Sequence, residues 1–241
     1  IDLFKENYGF ITKEKLIKQE SWFKYIKNLP EIDRTIKIKN KELEDKIFAV
    51  SVDYYKNEND NYVISLTDIT KIQEKSNLLE YQATHDKLTG LFNRNSFDET
   101  FGKELRRGQR YNNDLSLIIF DIDDFKNIND SYGHQAGDEV LIEISKIVLG
   151  NVREHDFVVR WGGEEFLILL PETTSDGAII VAEKIRKVIE SISFTNKDIK
   201  VTSSFGISLM KKDDTEKELI SRADKALYQA KESGKNKVIT S

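Results

Sequence analysis

The chain of 241 residues contains no cysteine. Disulfides, thiolate metal centres and cysteine nucleophiles are excluded together, and the absence fits a reducing cytoplasm, where the chain is expected to work. Long hydrophobic runs are missing too. No window approaches the roughly 18 consecutive apolar residues that cross a bilayer, and the longest apolar stretches, Leu115 to Phe120 and Phe166 to Leu170, have the length of buried strands. Ile1-Asp2-Leu3 offers neither the basic start nor the apolar core of a signal peptide. An initiator methionine is lacking as well. It is read as the mark of a fragment, with a membrane expected only through a segment upstream of it. Positive charge is not in excess. A net charge of −5 gives no general field for nucleic acid, so any nucleotide site must be a local arrangement. No Walker-type phosphate loop occurs, since Gly234-Lys235 is followed by Asn236 and lacks the earlier glycine. The only histidines, His85, His134 and His155, form no metalloprotease motif.

What is present is an ordinary globular composition with two kinds of pattern. In residues 1–70 a helical start leads into strands. Ile47 to Val52 and Tyr62 to Leu66 are apolar and β-branched, and the polar run Asn57-Glu58-Asn59-Asp60-Asn61 between them marks a turn. From Ile69 the pattern turns helical, with Ile69, Ile72, Ser76, Leu79 and Ala83 at alternating steps of three and four. That is the seam of a short coiled coil, and a single amphipathic helix packing on its own domain has the same spacing. From about residue 85 onward strands alternate with helices. The strands are Leu115–Ile122, Phe157–Trp161, Glu165–Leu170, Val201–Met210 and Lys237–Thr240; the helices are Ser96–Arg110, Ala136–Leu149, Asp176–Ser191 and Glu216–Glu232. Ala178, Val181, Ala182, Ile185, Val188 and Ile189 give the third helix its period. The alternation predicts an α/β domain, a sheet with helices packed on it.

The strand Leu115–Ile122 runs into carboxylates at Asp121 and Asp123. A buried strand gains no stability from such an ending, because each unpaired charge is costly to desolvate. Two residues apart, they share a face if the strand continues. Gly162-Gly163 joins two further strand-like runs as a tight hairpin, both glycines being free to take positive φ, and Glu164 and Glu165 lie at its turn. If the hairpin neighbours Asp121, three or four carboxylates converge, a set of hard oxygen ligands suited to Mg²⁺ with substrate phosphates completing the shell. An EF-hand is excluded, because Phe125 and Lys126 stand where a loop from Asp121 needs an oxygen ligand and a glycine. On the residues alone, a two-carboxylate site for phosphoryl transfer and a pair of solvated acidic turns are both open readings.

Gly162-Gly163-Glu164-Glu165-Phe166 resembles the signature of the GGDEF family of diguanylate cyclases in its GGEEF form. Further matches stand in the family's order. Asp86 to Arg94 resembles its opening Asp-x-Leu-Thr-Gly-Leu-x-Asn-Arg. Phe120 to Lys126 through Asn129-Asp130, Gly133-His134 and Gly137-Asp138 resembles its nucleotide-binding stretch, and Arg222-Ala223-Asp224, Ala226-Leu227-Tyr228 and Ala230-Lys231 its closing helix. Two strands ending in Thr67-Asp68-Ile69-Thr70 resemble the close of a PAS sensor domain, with a small α+β cap of another kind as the alternative. The implied organisation is a partial PAS-like segment at 1–70, a signalling linker helix at 71–84, and a GGDEF domain at 85–241. Its fold is expected to be a mostly antiparallel central sheet flanked by helices, like a nucleotidyl cyclase or polymerase palm.

The resemblance implies condensation of two GTP into cyclic di-GMP across an antiparallel homodimer, with Mg²⁺ or Mn²⁺, two ions per site. Asp121, Glu164 and Glu165 are then catalytic. Metal falls to Asp121, the Ile122 carbonyl, Glu165 and Glu164. Substrate falls to Asn129 and Asp138 for guanine, and to Phe125, Lys126, Gly162, Gly163, Lys231 and Lys235. An acceptor-only aspartate suits guanine because N1–H and N2–H both donate. Arg153 and Asp156 resemble the family's Arg-x-x-Asp site for cyclic di-GMP as inhibitor, and Lys184 stands where a second arginine often completes it. A degenerate member that binds GTP or cyclic di-GMP without turnover is the alternative. No nucleic-acid partner is expected.

Overall fold

The structure, a computed structural model, describes residues 8–12, 15–17, 24, 28–30, 34–40, 45–56, 60–194 and 198–241. The chain divides into two compact units, residues 1–80 and 81–241.

The first unit holds an antiparallel sheet of five strands: β1 (Tyr8–Thr12), β2 (Lys15–Ile17), β3 (Thr35–Asn40), β4 (Lys46–Lys56) and β5 (Asp60–Asp68), in the order β2-β1-β3-β4-β5. The expected helical start is corrected for residues 8–12 and 15–17, which are strands, while most of the remaining residues up to 33 lie outside those described; Tyr, Phe, Ile and Thr in the first strand favour a pleated surface over a helix. The turn expected at Asn57–Asn61 lies partly outside the described residues, at 57–59. Helix α1 (Thr70–Thr84) follows β5 directly. Asp68 fixes its start by accepting from the Thr70 amide at 3.0 Å and the Thr70 hydroxyl at 2.6 Å. These bonds, with Lys46 beside them, hold the carboxyl down at about 2. None of the α1 side chains is buried, and Ile72 and Leu79 of the expected seam are exposed.

The second unit is built on one sheet of order β10-β9-β6-β8-β7. Its strands are β6 (Leu115–Ile122), β7 (Phe157–Gly162), β8 (Glu165–Pro171), β9 (Ser203–Leu209) and β10 (Val238–Thr240); only the β9–β10 pair is parallel. The helices are α2 (Arg94–Tyr111), α3 (Phe125–Tyr132), α4 (His134–Leu149), α5 (Ser175–Ser191) and α6 (Glu216–Glu232). The short α3 had no counterpart in the periodicity, being only eight residues long. Alternation along β6 sorts the layers. Ile118, Phe120 and Ile122 pack with α3, α4 and α5, whereas Leu115, Leu117 and Ile119 pack with α2 and α6. Asp121 is next in the second series, so its carboxylate is delivered to the α2–α6 side at the end of the central strand. Glu165 follows the same rule on β8, two residues before Leu167.

Candidate active site

Asp121 and Glu165 are direct cross-strand partners on β6 and β8. Side chains directly opposite on one face have Cβ atoms about 5 Å apart, so the strand register alone sets two carboxylates together. The β7–β8 connection is a two-residue hairpin, with Gly162 paired to Glu165. Of the two glycines only Gly163 takes a positive φ, +54°, and a Cβ at either would meet open space. Glu164 occupies the second loop position, and its carbonyl accepts weakly from the Ile122 amide at 3.4 Å.

The electrostatics follow from burial. Desolvation, the largest influence, pushes the Asp121 carboxyl from its ordinary 3.8 to about 6. Glu164 and Glu165 push the same way, against the Lys231 ammonium 2.9 Å from Oδ1. An acid with a raised folded-state value stabilises the fold fully below about pH 4, and that contribution is lost as pH rises through about 6. Thermal melts of the metal-free protein in chelator should therefore show falling stability between about pH 4 and 6. Asp121→Asn should flatten that slope; an unchanged slope would contradict the assignment.

The expected partner Asp123 has a different task. Its Oδ1 accepts from the Ser204 hydroxyl at 2.7 Å, and Oδ2 from the Thr202 hydroxyl at 2.7 Å and the Asn236 amide at 3.1 Å. A carboxylate so fully engaged is a brace. Among the described residues no group of three or more His, Cys, Asp or Glu side chains is placed to hold a metal ion by itself; Asp121 and Glu165 are the cross-strand pair, and Glu164 acts on Asp121 from the hairpin turn. The pair still fits Mg²⁺, which is usually held by one or two carboxylates with substrate phosphates completing the shell.

Helix α3 begins close after the carboxylate strand. Asp124 turns the chain with φ +56°, and α3 starts at the next residue. The first-turn amides of Phe125 and Lys126 are among those a helix leaves without internal partners, which makes its N-terminus an anion site. The Phe125 ring is buried in the core, which leaves only its backbone available to a ligand, while Lys126 is exposed. Lys235 Nζ lies 2.6 Å from Asp124 Oδ1. Asn129 of α3 rests against Gly137 of α4: a Cβ there would fall 2.1 Å from Asn129 Oδ1. Asn129 thus lies beside the residue preceding Asp138, which is exposed. On its α2–α6 side Glu165 also opens onto a cavity of about 480 Å³ shared with Arg94, Trp161 and Asp224.

One group was missed by the sequence reading. Arg160 Nε and Nη2 donate to the Gly163 carbonyl at 3.0 and 2.9 Å, and Nη1 donates to Asp86 Oδ1 at 3.0 Å. Asp86 also accepts from the Thr89 amide and hydroxyl. Burial alone would raise Asp86, but the Thr89 and Arg160 bonds outweigh it and hold the carboxyl below its ordinary value. The hairpin tip is thereby tied to the start of the domain. A lone arginine inside the apolar run Phe157–Trp161 was the available signal.

Arg153 and Asp156 face one another across a tight turn, the Arg153 amide donating to Asp156 Oδ2 at 2.7 Å. Burial raises Asp156, against the pull of that bond. With His155 they line a cavity of about 510 Å³ whose further wall carries Arg107 and Glu104 of α2 and Glu172. Lys184 is exposed on α5 and lines neither this cavity nor the smaller one beside Arg153.

Comparison with known proteins gives a consistent result. The family model described as diguanylate cyclase, GGDEF domain, matches residues 83–237. Diguanylate cyclase DgcM of Escherichia coli strain K12 is 40% identical over 172 residues, 71% of this chain and 42% of that protein. The crystal structure of the coiled coil and GGDEF domain of DgcB from Caulobacter crescentus, in complex with c-di-GMP, superposes with a TM-score of 0.69 at 28% identity, covering 72% of this chain and 93% of that one. The structure of the active GGEEF domain of a diguanylate cyclase from Vibrio cholerae gives 0.60 at 36% identity, covering 61% and 96%. The chain spans less than half the length of the curated relatives it matches. Among the described residues no helix is long and apolar enough to cross a membrane.

Proposed function

Because the chain belongs to the GGDEF family of diguanylate cyclases, we propose that it condenses two GTP into cyclic di-GMP and two pyrophosphates. The observation that carries this reading is the cross-strand pair Asp121–Glu165. It stands beside the N-terminus of α3 and the Lys231 ammonium. Carboxylates for metal, helix amides for phosphate and a guanine-facing pair at Asn129 and Asp138 then meet at one end of the sheet.

In each half-reaction a ribose 3′-oxygen bonds to the α-phosphorus of the other nucleotide, and the bond from that phosphorus to pyrophosphate breaks. Asp121, Glu165 and the Ile122 carbonyl, with Glu164 at hand, would hold divalent ions, Mg²⁺ or Mn²⁺, which would supply neutralisation of the triphosphate and polarisation of the α-phosphate. Lys231, Lys235 and Lys126 hold phosphate oxygens. The hydroxyl proton leaves to a base, for which Glu164 at the hairpin tip is our candidate. A chain with one such site presents one GTP, so two copies must meet face to face. The exposed seam of α1 supports its role in controlling that encounter, downstream of a partial PAS-like sensor segment. Incubation with GTP and Mg²⁺, with products resolved by chromatography, tests the reading. Cyclic di-GMP is the expected product. No product across protein concentrations, after bound cyclic di-GMP has been removed, would favour a nucleotide receptor instead.

The cavity at Arg153 and Asp156 is our candidate for the inhibitory product site. An arginine fork suits phosphate or a guanine edge. A charge-assisted hydrogen bond contributes about 1.5–3 kcal/mol, so Arg153→Ala should weaken inhibition by cyclic di-GMP about tenfold or more without lowering uninhibited turnover. An unchanged inhibition constant would remove the assignment.

A further inference from the structure

The segment after α6 carries Lys235 in a backbone shape that a lysine does not choose. Gly234, Lys235 and Asn236 have φ of +107°, +60° and +48° in succession. Left-handed conformations at non-glycine residues persist where the surroundings over-determine them. Glycine and asparagine adopt them readily; lysine does not. The restraint comes from two sides. On one side, the Asn236 amide donates to Asp123 Oδ2 at 3.1 Å, and the Lys235 amide donates to the Ala230 carbonyl of α6 at 3.0 Å. On the other side stands α5, whose Arg186 Nη1 donates to Asn236 Oδ1 at 2.7 Å while Asn236 Nδ2 donates to Glu190 Oε1 at 2.7 Å. Arg186 is itself held by Glu183 at 3.1 Å and by Glu190 at 2.9 Å, with its side chain only 13% exposed.

We propose that Arg186 is a positioning residue for the triphosphate. It touches no substrate, but through Asn236 it fixes the left-handed turn that aims Lys235 at the N-terminus of α3. The geometry closes a ring. Arg186 and Glu190 clamp the Asn236 side chain, the Asn236 backbone is tied to Asp123, and Asp123 and Asp124 form the turn that follows the strand presenting Asp121. Lys235 reaches across this ring to Asp124. The Glu190 carboxyl lies below its ordinary value, first through the Asn236 bond and then through Arg186, so the clamp is made of charged partners at neutral pH. A released turn leaves Lys235 free to sample solvent, which removes a phosphate contact and leaves the guanine end of the site untouched.

The inference rests on the GTP-site reading above, and the test separates the two. Affinities for GTP and for GMP are measured by calorimetry with Mg²⁺ on the wild-type chain and on Arg186→Ala. Loss of one charge-assisted contact predicts GTP binding weakened about tenfold, with GMP binding unchanged because GMP lacks the outer phosphates. Asn236→Gly serves as a second variant: glycine keeps the left-handed backbone and the amide bond to Asp123 while removing only the clamped side chain. It should show the same GTP-selective loss. In Lys235→Ala, adding Arg186→Ala should bring no further loss of GTP affinity. Equal weakening for GTP and GMP, or no weakening in either single variant, overturns the proposal. A wild-type chain that makes no cyclic di-GMP, with the GTP-selective loss still seen in the two variants, overturns the cyclase reading and leaves the positioning role standing.

Discussion

Glu165→Gln should abolish measurable cyclic di-GMP synthesis, with turnover down on the order of 10³-fold, while the protein melts as the wild type does. Glutamine keeps the length of the side chain and the Gly162–Glu165 backbone pairing that closes the hairpin. The anionic oxygen beside Asp121 is what it removes. Mg²⁺ dehydrates reluctantly and relies on few protein carboxylates, so losing one of a pair is not made good by the other. The control is Asp123, two residues along the same chain from Asp121. Its carboxylate accepts three hydrogen bonds from Thr202, Ser204 and Asn236. Asp123→Asn removes the charge from three hydrogen bonds and forces the Ser204 hydroxyl to turn and accept from the new amide, which should lower stability by about 1–3 kcal/mol and change metal dependence little. Turnover by chromatography and unfolding by denaturant give the two readouts. Wild-type turnover in Glu165→Gln would remove that residue from the chemistry. Loss of metal dependence in Asp123→Asn would mean that the two aspartates have been assigned the wrong way round.

The contrast between these aspartates shows what a sequence conveys and what it withholds. An apolar run ending in Asp121 and Asp123 announces a site, because burying two charges demands a reason, but spacing two apart gives both residues the same claim. Only the neighbours across the sheet divide the roles. Glu165 stands opposite Asp121, and the hydroxyls of β9 and the loop before it reach Asp123. Those hydroxyls come from residues about 80 positions away, beyond any local pattern. Periodicity placed α6 at its observed bounds, Glu216–Glu232, where a capping box of Thr215 and Glu218 marks the start. It gave no sign of α3, whose eight residues span barely two turns. The first unit was less legible, because short strands such as Lys15–Ile17 carry too few residues to show alternation. The cavity proposed for the product was half legible. Arg153 and Asp156 lie in one tetrapeptide, whereas Arg107 of α2, which also lines the cavity, stands far away in sequence.

Gly206→Ala should unfold the second unit at markedly lower denaturant, with a loss of about 3 kcal/mol or more. Gly206 sits mid-strand in β9, buried between Phe205 and Ile207 and opposite Ile119. A glycine there forgoes side-chain packing and loses more entropy than other residues, and the structure supplies the compensating reason. A Cβ at this position would lie 2.1 Å from the Ala223 carbonyl oxygen, 2.2 Å from the Leu227 nitrogen and 2.8 Å from the Leu227 Cα, all backbone atoms of α6. No rotamer change relieves such a contact; the whole helix must back away from the sheet. Ala223, Ala226 and Ala230 line the same helix among its buried residues, so the approach depends on small residues from both sides. The consequence reaches the site, because α6 carries Lys231 to within 2.9 Å of Asp121. A helix displaced by even an ångström separates that pair, and GTP affinity should fall together with stability. Parallel denaturation and GTP-binding measurements decide the matter. A Gly206→Ala protein with an unchanged midpoint would show that α6 is free to shift. One with lowered stability but unaltered GTP affinity would show that Lys231 reaches the phosphates without the close packing that places it beside Asp121.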